Sequence, residues 1–509
     1  MSNTNFNQSK PRLLIFIVAY HAESTIASVL SRIPKNILDD YEAEVLIIDD
    51  SSKDGTFDKS LDFLNEAPFP FKATVLYNPE NQGYGGNQKI GYQYAIKNEF
   101  DFVALIHGDG QYAPECLGAL LEPLQKGQAE AVFGSRMLGR REALKGGMPL
   151  YKYVGNKILT WFENKMLKSQ LSEFHSGYRL YSVKALQRVP FELNTNDFHF
   201  DTEIIIQFLF AKLRIVELPI PTYYGDEICR VNGMKYALDV VISVVLARLQ
   251  SAGLFYKPNF DCVVKGNTQY VLKLDYQSPH SEVFKRVLPG SRVLDLGCAG
   301  GYVGAYLKAK LGCYVVGVDF FPLGDGILLD EFIRANLDDG IPEIDLSKFD
   351  YILMLDVIEH LHRPEKFLEQ LHQMMSHNLN TKIIASTGNI AFFVQRIMLL
   401  FGQFNYGKRG ILDMTHTRLF TSSSFSRLFK QSGFQVITSY GIPAPFPLAI
   451  GNNFLSRLLL KVNTFLIRLA KGLFSYQIFI EAKAIPSLDA LLYKTMQESE
   501  NRLIARSDI

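Results

Sequence analysis

Residues 107–111, HGDGQ, directly follow a short apolar run at 102–106. Apolar runs of about four to eight residues bounded by glycine are typical of buried strands in a parallel sheet, and ligands bind such sheets beyond the carboxyl ends of the strands. Asp109 would lie at that edge, between glycines that let a phosphate and a divalent metal approach closely. The pattern fits a metal and diphosphate site, or simply an acidic loop after a strand, and the surrounding chain decides between them.

Other polar groups also follow predicted strands. The strands predicted in this half are residues 12–20, 44–50, 72–77, 102–106, 129–134 and 214–219. Helical stretches alternate with them, including 91–97 after a loop at 78–87, so we expect an α/β fold with a parallel sheet and helices on both faces. Asp50, residues 83–87, Asp109 and Arg136 then fall at or just beyond strand ends, which is the clustering that a nucleotide site needs.

The composition bounds the class of protein. A chain of 509 residues is too long for one core, so we expect two or three domains. The net charge is +1, which predicts no nucleic-acid partner. The five cysteines form no CxxC pair, the N-terminus is polar, and no apolar run reaches the roughly 18 residues of a spanning helix. We expect a cytoplasmic protein, with peripheral contact at the inner face of a membrane left open.

Six segments of the first half resemble, in order, the motifs of family 2 glycosyltransferases. They are VAYHAEST, VLIIDDSSKDGT, NQGYGGNQKIGYQYA, LIHGDGQYAPE, FGSRM and FHSGYRLYS, within about residues 10–240. The resemblance is greatest to dolichol- and undecaprenyl-phosphate sugar synthases. It implies a GT-A nucleotide-sugar-binding domain at 10–250, which transfers a sugar with inversion from a nucleotide-sugar donor to a lipid phosphate or glycan acceptor.

The same resemblance implies roles for individual residues. Ala19, Tyr20, Glu23 and Asp50 would line the nucleobase and ribose. Asp109 would be the second acid of the metal-binding DxD motif, with Gln111 beside it, and Arg179 would contact a phosphate. A lipid phosphate is already ionised, so its attack on the sugar requires no dedicated general base.

His107 departs from the family pattern, because it stands where the DxD motif has its first acid. Histidine is a borderline ligand that suits manganese better than magnesium, so a manganese or magnesium site with His107, Asp109 and Gln111 as ligands would be weaker or differently selective. Two alternatives stay open: the metal has been lost altogether, or His107 only forms a hydrogen bond within the loop.

The second half repeats the arrangement of strand and glycine loop. Residues 291–301, SRVLDLGCAGG, place Gly297, Gly300 and Gly301 where the backbone can approach a ligand at a helix N-terminus. The next predicted strand, 314–319, ends in Asp319, which suits a ribose diol. A nicotinamide-binding Rossmann domain is the rival interpretation, but the loop is GCAGG rather than GxGxxG.

With NLD at 336–338 and FDYILMLDVIEHLHRPEKFLEQL at 349–371, this series resembles class I S-adenosylmethionine-dependent methyltransferases, with a Rossmann-like domain at 270–486. The resemblance implies that Asp295 and the glycines contact the methionine moiety, that Asp319 binds the ribose, and that Leu337 and Asp338 contact the adenine. Asp356 would lie near the methyl donor.

Two histidines are candidate catalytic bases for O-methylation of a glycan-related substrate. His360 follows Glu359 where related O-methyltransferases keep an acid–base or metal pair, although a helix-capping role explains it as well. His416 is the second candidate.

Residues 454–475 form a predicted helix outside the minimal methyltransferase. Arg457, Lys461, Arg468 and Lys471 recur at helical spacing and form one cationic stripe. The helix could lie in a membrane interface, or it could be buried on its broad apolar face with the cations outward, and we favour the second. We place a linker at 251–269 and a polar tail at 487–509.

We therefore predict a bifunctional enzyme. One alternative is an active methyltransferase whose glycosyltransferase-like half only binds or docks a glycan. The other is a peripheral membrane assembly factor anchored by residues 454–475.

Overall fold

The computed structural model describes residues 10–66, 68–139, 142–221, 232–251, 256–262, 272–375, 380–486, 491–492 and 495–496. The chain divides into two compact units that part near residues 251–267. Most of the predicted linker and the predicted tail lie outside the described residues. Each unit contains one seven-stranded sheet with helices, which confirms a two-domain α/β protein.

The first sheet has the strand order β3-β2-β1-β4-β6-β5-β7. Its strands are β1 (Arg12–Ala19), β2 (Glu42–Asp49), β3 (Lys72–Tyr77), β4 (Phe102–His107), β5 (Ala131–Ser135), β6 (Arg179–Ser182) and β7 (Ile215–Pro219). The prediction of an all-parallel sheet is wrong at β6, which pairs antiparallel with both β4 and β5. Four residues are too few to show a periodic pattern, so the sequence did not reveal this strand.

Both faces of the first sheet are covered. Along β1, Leu13, Ile15 and Ile17 pack on one side, while Leu14 and Phe16 pack on the other. A strand buried on both faces is apolar throughout, which explains the unbroken run in the sequence. The helices are α1 (Ile26–Ser31), α2 (Ile37–Asp40), α3 (Thr56–Glu66), α4 (Tyr84–Lys97), α5 (Leu117–Gln125), α6 (Glu142–Lys145), α7 (Leu150–Leu167), α8 (Val183–Leu186), α9 (Phe200–Phe210) and α10 (Gly233–Ser251).

Helix α4 begins at Tyr84, inside the segment that we expected to be a loop. Gly83 precedes it with φ +78°, and a Cβ there would lie 2.7 Å from the carbonyl oxygen of Asn196. Glycine at this position therefore permits both the turn and the close approach of the 195–196 backbone. The early start brings Tyr84 onto the helix, where it can reach the end of β4.

The second sheet has the order β10-β9-β8-β11-β12-β14-β13, and β14 is antiparallel to both of its neighbours. Its strands are β8 (Arg292–Leu296), β9 (Tyr314–Asp319), β10 (Glu331–Arg334), β11 (Tyr351–Leu355), β12 (Lys382–Gly388), β13 (Phe434–Ile442) and β14 (Gln477–Ala484). The helices are α11 (Pro279–Arg286), α12 (Tyr302–Leu311), α13 (Pro364–Met374), α14 (Phe393–Leu400), α15 (Ser422–Gln431), α16 (Phe446–Ile450), α17 (Phe454–Leu469) and α18 (Lys471–Phe474).

The helix predicted at 454–475 breaks at Ala470 into α17 and α18. Our favoured interpretation, burial of its apolar face, is wrong. The buried positions of α17 are Ser456, Asn463 and Ile467, whereas most of its large apolar side chains are exposed. Within the described ranges, no helix has the length and apolar character needed to cross a membrane.

Candidate active sites

Asp50 organises the edge of the first sheet at the ends of β1 and β2. Its buried carboxylate Oδ1 accepts hydrogen bonds from Asn78 Nδ2 and from the Gln82 backbone N–H, both at 2.8 Å. The Asp50 backbone N–H donates to the carbonyl of Ala19 at 2.9 Å. The predicted residues Ala19 and Asp50 are therefore adjacent, and Asp50 also holds the loop that leads into α4.

Asp49 is a candidate ligand-binding residue that the sequence alone did not indicate. Its Oδ1 accepts from the Ser52 N–H at 3.0 Å, but its buried Oδ2 has no hydrogen-bond partner within the part of the chain that the structure describes. A buried carboxylate oxygen without a donor is costly, so a donor supplied by a ligand would be favourable there. The only sequence signal was the doublet Asp49-Asp50, which does not say which acid keeps an open position.

Tyr20 and Glu23 lie at the same edge. The His21 N–H donates to Ser52 Oγ at 2.8 Å, and the Gly55 N–H donates to Glu23 at 3.0 Å, so the loops after β1 and β2 are joined. The half-exposed Tyr20 ring meets the ring of His21 edge-on at 4.4 Å. An exposed aromatic ring beside Asp49 and Asp50 is suited to a base or ribose.

His107, Asp109 and Gln111 form one turn at the end of β4, where Asp109 is exposed and its Oδ1 accepts the Gln111 N–H at 3.0 Å. The Tyr84 hydroxyl donates its single proton to Asp201 Oδ2 at 2.9 Å, so His107 Nε2, 3.1 Å from that hydroxyl, must be the donor to it. The proton therefore lies on Nε2, and Nδ1 keeps its lone pair.

The surroundings of His107 also keep it neutral. Burial lowers the pKa of His107, although the nearby carboxylates of Asp109 and Asp201 oppose that effect. A Cβ at Gly177 would lie 2.4 Å from the imidazole, so glycine is required for the ring to fit. A neutral imidazole, a carboxylate and an amide form a mixed nitrogen and oxygen donor set, which fits a borderline divalent cation such as manganese.

Arg179 lies deeper than the phosphate contact that we expected. It is buried, and its guanidinium donates to the carbonyls of Ser176, Phe174 and Asp201. It also lies 3.7 Å from Asp201 Oδ2. To reach a phosphate it would have to leave these contacts, whereas in its present place it positions Asp201, and through Tyr84 it positions His107.

A second group of possible metal ligands was also missed by the sequence analysis. One ligand atom each from Asp197, His199 and Asp239 lies within 4.8 Å of the others. Lys235 Nζ is 3.4 Å from Asp197 Oδ2 and already provides a positive charge there. The spacing of Asp197 and His199 is visible in the sequence, but Asp239 joins them only through the placement of α10.

In the second unit, a glycine loop follows β8. Gly297 has φ +75°, and a Cβ there would lie 2.5 Å from Val357. The Ala299 and Phe321 N–H groups donate to the two oxygens of Asp319, at 2.6 and 2.9 Å. This fixes the Asp319 carboxylate beside the loop that contains the predicted residues Gly300 and Gly301.

Asp295 is buried at the end of β8. Burial, and secondly the charge of Asp319, raise the pKa of Asp295 to about 7. The negative charges of these two neighbouring carboxyl groups repel each other, and a cationic ligand would relieve that repulsion. The ammonium and sulfonium groups of S-adenosylmethionine fit this requirement.

At the other end of the predicted cofactor site, Leu337 is buried and Asp338 is partly exposed. Both oxygens of Asp338 contact His362, one with its N–H and one with its Nδ1, each at 2.8 Å. A cavity of about 230 Å³ borders these residues and is also lined by Leu361 and Phe367. Asp338 thus keeps an open side, although His362 is already its partner.

Asp356 has an unusual backbone, with φ +54°. Its carboxylate accepts hydrogen bonds from Ser386 Oγ and Gln477 Nε2, each at 2.7 Å. Left-handed conformations of residues other than glycine persist only where the surroundings enforce them, and they cluster at functional sites. The buried Glu359 lies beside it, and burial together with the charge of Asp356 raises the pKa of Glu359.

His360 and His416 meet edge-on, with ring centroids 4.7 Å apart. His360 Nδ1 contacts the Thr415 carbonyl at 3.2 Å, and His416 Nδ1 contacts the Ile411 carbonyl at 3.0 Å. Because a carbonyl only accepts, the proton lies on Nδ1 in both rings, so each ring keeps a lone pair on Nε2 in its neutral form. Burial lowers the pKa of His416, which keeps its ring neutral at pH 7.

Comparison with known proteins confirms both resemblances. The model of Glycosyl transferase family 2 matches residues 14–189, and a Methyltransferase domain model matches residues 270–439.

Two relatives are named for lipid-phosphate sugar transfer. The chain is 28% identical over 223 residues to UDP-N-acetylglucosamine–dolichyl-phosphate N-acetylglucosaminyltransferase of Methanococcus voltae, which covers 42% of this chain and 86% of the relative. It is 27% identical over 214 residues to undecaprenyl-phosphate mannosyltransferase of Micrococcus luteus, with 41% and 82% covered.

A shorter similarity concerns a methyltransferase. Over 94 residues the chain is 34% identical to ubiquinone biosynthesis O-methyltransferase of Maricaulis maris. This covers 16% of the chain and 36% of that relative.

Proposed function

We propose, on the premise that the first unit is a family 2 glycosyl transferase domain and the second a methyltransferase domain, that the chain is a bifunctional enzyme. The first unit would transfer a sugar, with inversion, from a nucleotide sugar to a polyprenyl phosphate. The second would O-methylate a glycan-related substrate. The observation that best supports a working donor site is the fixed, neutral His107 beside the exposed Asp109.

In this proposal Asp49, Asp50 and Tyr20 bind the nucleoside, while His107 and Asp109 hold a divalent cation. Bound there, the cation would stabilise the negative charge that develops on the leaving nucleoside diphosphate. Asp201 and Tyr84 keep the His107 lone pair available for it. The ionised acceptor phosphate is itself the nucleophile, so the chain has to position it rather than deprotonate it.

Helix α7 supports a lipid acceptor. It exposes one face made of Leu150, Tyr151, Val154, Ile158 and Trp161, and neighbouring α10 exposes Met234, Leu238 and Ile242. The only acidic residue of α7, Glu163, is buried, whereas Lys157 and Lys165 are exposed. Apolar faces with cations and no exposed acid are typical of helices that lie in a lipid interface.

Helix α7 is also fixed to the end of β5. Asn156 Nδ2 donates to Glu173 Oε1 at 2.8 Å, and Glu173 forms an ion pair with Arg136, which directly follows β5. Asn156 lies on the side of α7 opposite its exposed apolar face, so these contacts hold the helix against the end of β5 with that face outward.

The donor site is tested by calorimetric titration of the full chain with UDP and GDP, each with and without manganese. We expect one nucleotide to bind in a manganese-dependent way, and Asp109→Ala to abolish that dependence. Asp58→Ala, an exposed acid on α3, is the matched control and should leave it unchanged. If no nucleotide binds under either condition, the first unit is not a sugar transferase, and a docking module becomes the better description.

For methyl transfer, Asp295, Asp319 and the Gly297–Gly301 loop would form the binding site for S-adenosylmethionine. The methyl group to be transferred would come from the sulfonium of that cofactor. Asp356, at the end of β11, holds the acceptor end of the site together. His416 and His360 offer Nε2 lone pairs to accept the proton of the acceptor hydroxyl.

Single variants His416→Ala and His360→Ala test the base. We expect a loss of about a hundredfold or more in methyl transfer to the true acceptor, with the affinity for S-adenosylmethionine unchanged. If neither variant slows methyl transfer, neither imidazole is the base.

A further inference from the structure

We propose that the methyltransferase unit docks on an anionic lipid bilayer through a second apolar and cationic surface. This surface, which we call the α14/α17 surface, consists of α17, the C-terminal end of α14 and residues 401–409. Nothing assigned to the sugar-transfer unit requires it. The docking itself stands apart from the proposed activities, and only its use for a lipid-linked methyl acceptor rests on the proposed methyl transfer.

Helix α17 presents its apolar side outward. Phe454 is 82% exposed and Phe465 is 59% exposed. The other large apolar side chains on the same side that are exposed are Leu455, Leu458, Val462 and Leu469. At about 3.6 residues per turn, these positions form one continuous stripe along the helix.

Polar contacts fix that orientation. The side toward the protein carries Asn463, whose Oδ1 accepts the Ala444 N–H and whose Nδ2 donates to the Phe474 carbonyl, both at 2.9 Å. Asn453 caps the N-terminus and accepts from the Ser456 N–H at 2.9 Å. If α17 rolled to bury its apolar stripe, Asn463 and both of its backbone partners would lose these bonds, so exposure of the stripe is built in.

Cations border the stripe. Arg457, Lys461 and Arg468 are exposed along one edge of α17, and the sequence contains no Asp or Glu from 446 to 475. Anionic lipid head groups attract a row of cations along one edge of an apolar helix, whereas a soluble protein partner that covers the apolar stripe does not require such a row. Charge complementarity therefore favours a bilayer as the occupant.

The second part of the surface has the same chemistry. Leu400 and Phe401 are 80% and 74% exposed, and Ile397, Phe404 and Tyr406 are exposed too. Residues 393–412 also lack acidic side chains, while Arg396 and Arg409 are exposed. Two separate segments thus combine exposed large apolar groups with cations.

Packing joins the two segments. The rings of Phe393 and Phe474 have centroids 5.8 Å apart, and Phe393 and Phe446 pack against one apolar cluster. The chain then runs from residue 409 to Ile411, whose carbonyl holds His416. The α14/α17 surface therefore borders the acceptor end of the methyltransferase site, so a bilayer docked there would present lipid-linked hydroxyl groups to His416.

The test uses the full chain and tryptophan fluorescence, because Trp161 on α7 is the single native tryptophan. In a Trp161→Phe background, Phe465→Trp reports on α17, and Leu288→Trp is the matched control. Leu288 is also exposed, but it precedes β8 and lies at the opposite edge of the sheet. Vesicles of phosphatidylcholine, with or without phosphatidylglycerol, serve as the probe.

With phosphatidylglycerol vesicles, we expect a blue shift and quenching by brominated lipid for the reporter at 465, and neither for the reporter at 288. Replacing Arg457, Lys461 and Arg468 by Gln should lower the vesicle affinity of the 465 reporter by about a hundredfold, since each cation near the surface contributes about fivefold. The far-ultraviolet circular dichroism should not change.

Three results would overturn the proposal. The first is that the fluorescence of the reporter at position 465 does not change when phosphatidylglycerol vesicles are added. The second is that the reporter at position 288 responds to them equally. The third is a 465 shift that follows protein concentration without vesicles, because then a second copy of the chain covers the surface. Trp161 of the unaltered chain is read in parallel and reports the α7 face alone, so failure of one membrane contact is distinguished from failure of the other.

Discussion

At the scale of single residues, the hydrogen-bond partners of a functional group determine whether it donates or accepts and so what it can bind. His107 stands where the DxD motif has its first acid, and its contact with Tyr84 makes it a candidate metal ligand. The Tyr84 hydroxyl is committed to Asp201, and this leaves His107 only the donor role at Nε2.

Tyr84→Phe tests this link. Without the hydroxyl, the His107 ring loses the partner that fixes its tautomer and orientation, and loss of such a partner typically lowers metal affinity by about tenfold to a hundredfold. We expect that weakening for manganese in the presence of nucleotide, measured by calorimetry. Tyr94→Phe removes a hydroxyl of α4 that bonds Glu44 instead, so it should leave manganese binding unchanged. Equal effects of the two variants would contradict the role of Tyr84.

Asp295 predicts a pH dependence. Its pKa is raised to about 7 in the unliganded protein, so below pH 7 the carboxyl is mainly protonated and a cationic ligand has to displace that proton. The affinity for S-adenosylmethionine should therefore rise as the pH increases from about 5 to 7 and then level off. Asp295→Asn should bind weakly and without this slope. Calorimetry across the range checks it, and a flat profile for the unaltered chain would rule the idea out.

At the scale of elements, α17 shows how a helix can be inverted relative to its hydrophobic pattern. The apolar stripe of α17 and its cations Arg457, Lys461 and Arg468 are both exposed, because polar side chains on the opposite side of the helix, such as Asn463, make the contacts to the protein.

The stability of α17 should follow those polar contacts. Asn463→Leu leaves the Ala444 N–H and the Phe474 carbonyl without their partner, so we expect the free energy of unfolding to fall by about 1–3 kcal/mol. Leu458→Ser, on the exposed stripe, should change it by less than about 0.5 kcal/mol. Urea unfolding measures both. A larger loss for Leu458→Ser than for Asn463→Leu would mean that the apolar stripe is in fact buried.

At the scale of the whole molecule, each candidate site is built by one unit alone. The donor site uses residues of the first sheet and its helices, and the cofactor site uses those of the second. No residue named for one site belongs to the other unit.

Binding at the two sites should therefore be independent. Asp109→Ala should remove manganese-dependent nucleotide binding and leave the affinity for S-adenosylmethionine unchanged, and Asp319→Ala should do the reverse. The double variant should show the sum of the two losses. Calorimetric titration of each ligand, with and without the other, measures this, and any affinity that changes with the second ligand present would show coupling between the units.

The sequence by itself determined the two α/β units, the strand ends and the segments that carry the functional groups. These features are local: apolar runs, glycine turns and acids at strand ends are read within about ten residues of one another. Both family resemblances rest on such segments in order, and they were confirmed.

Only the tertiary structure decided what those groups face. The open oxygen of Asp49, the proton on His107, the burial of Arg179 and the outward apolar stripe of α17 all depend on how the elements pack in the fold, and some of the contacts that hold the sites join distant parts of the chain. Tyr84 meets Asp201 across 117 positions, and Gln477 meets Asp356 across 121. A periodic pattern shows that a side chain is apolar or charged, but whether it is buried, paired or exposed is settled by which distant segment packs against it.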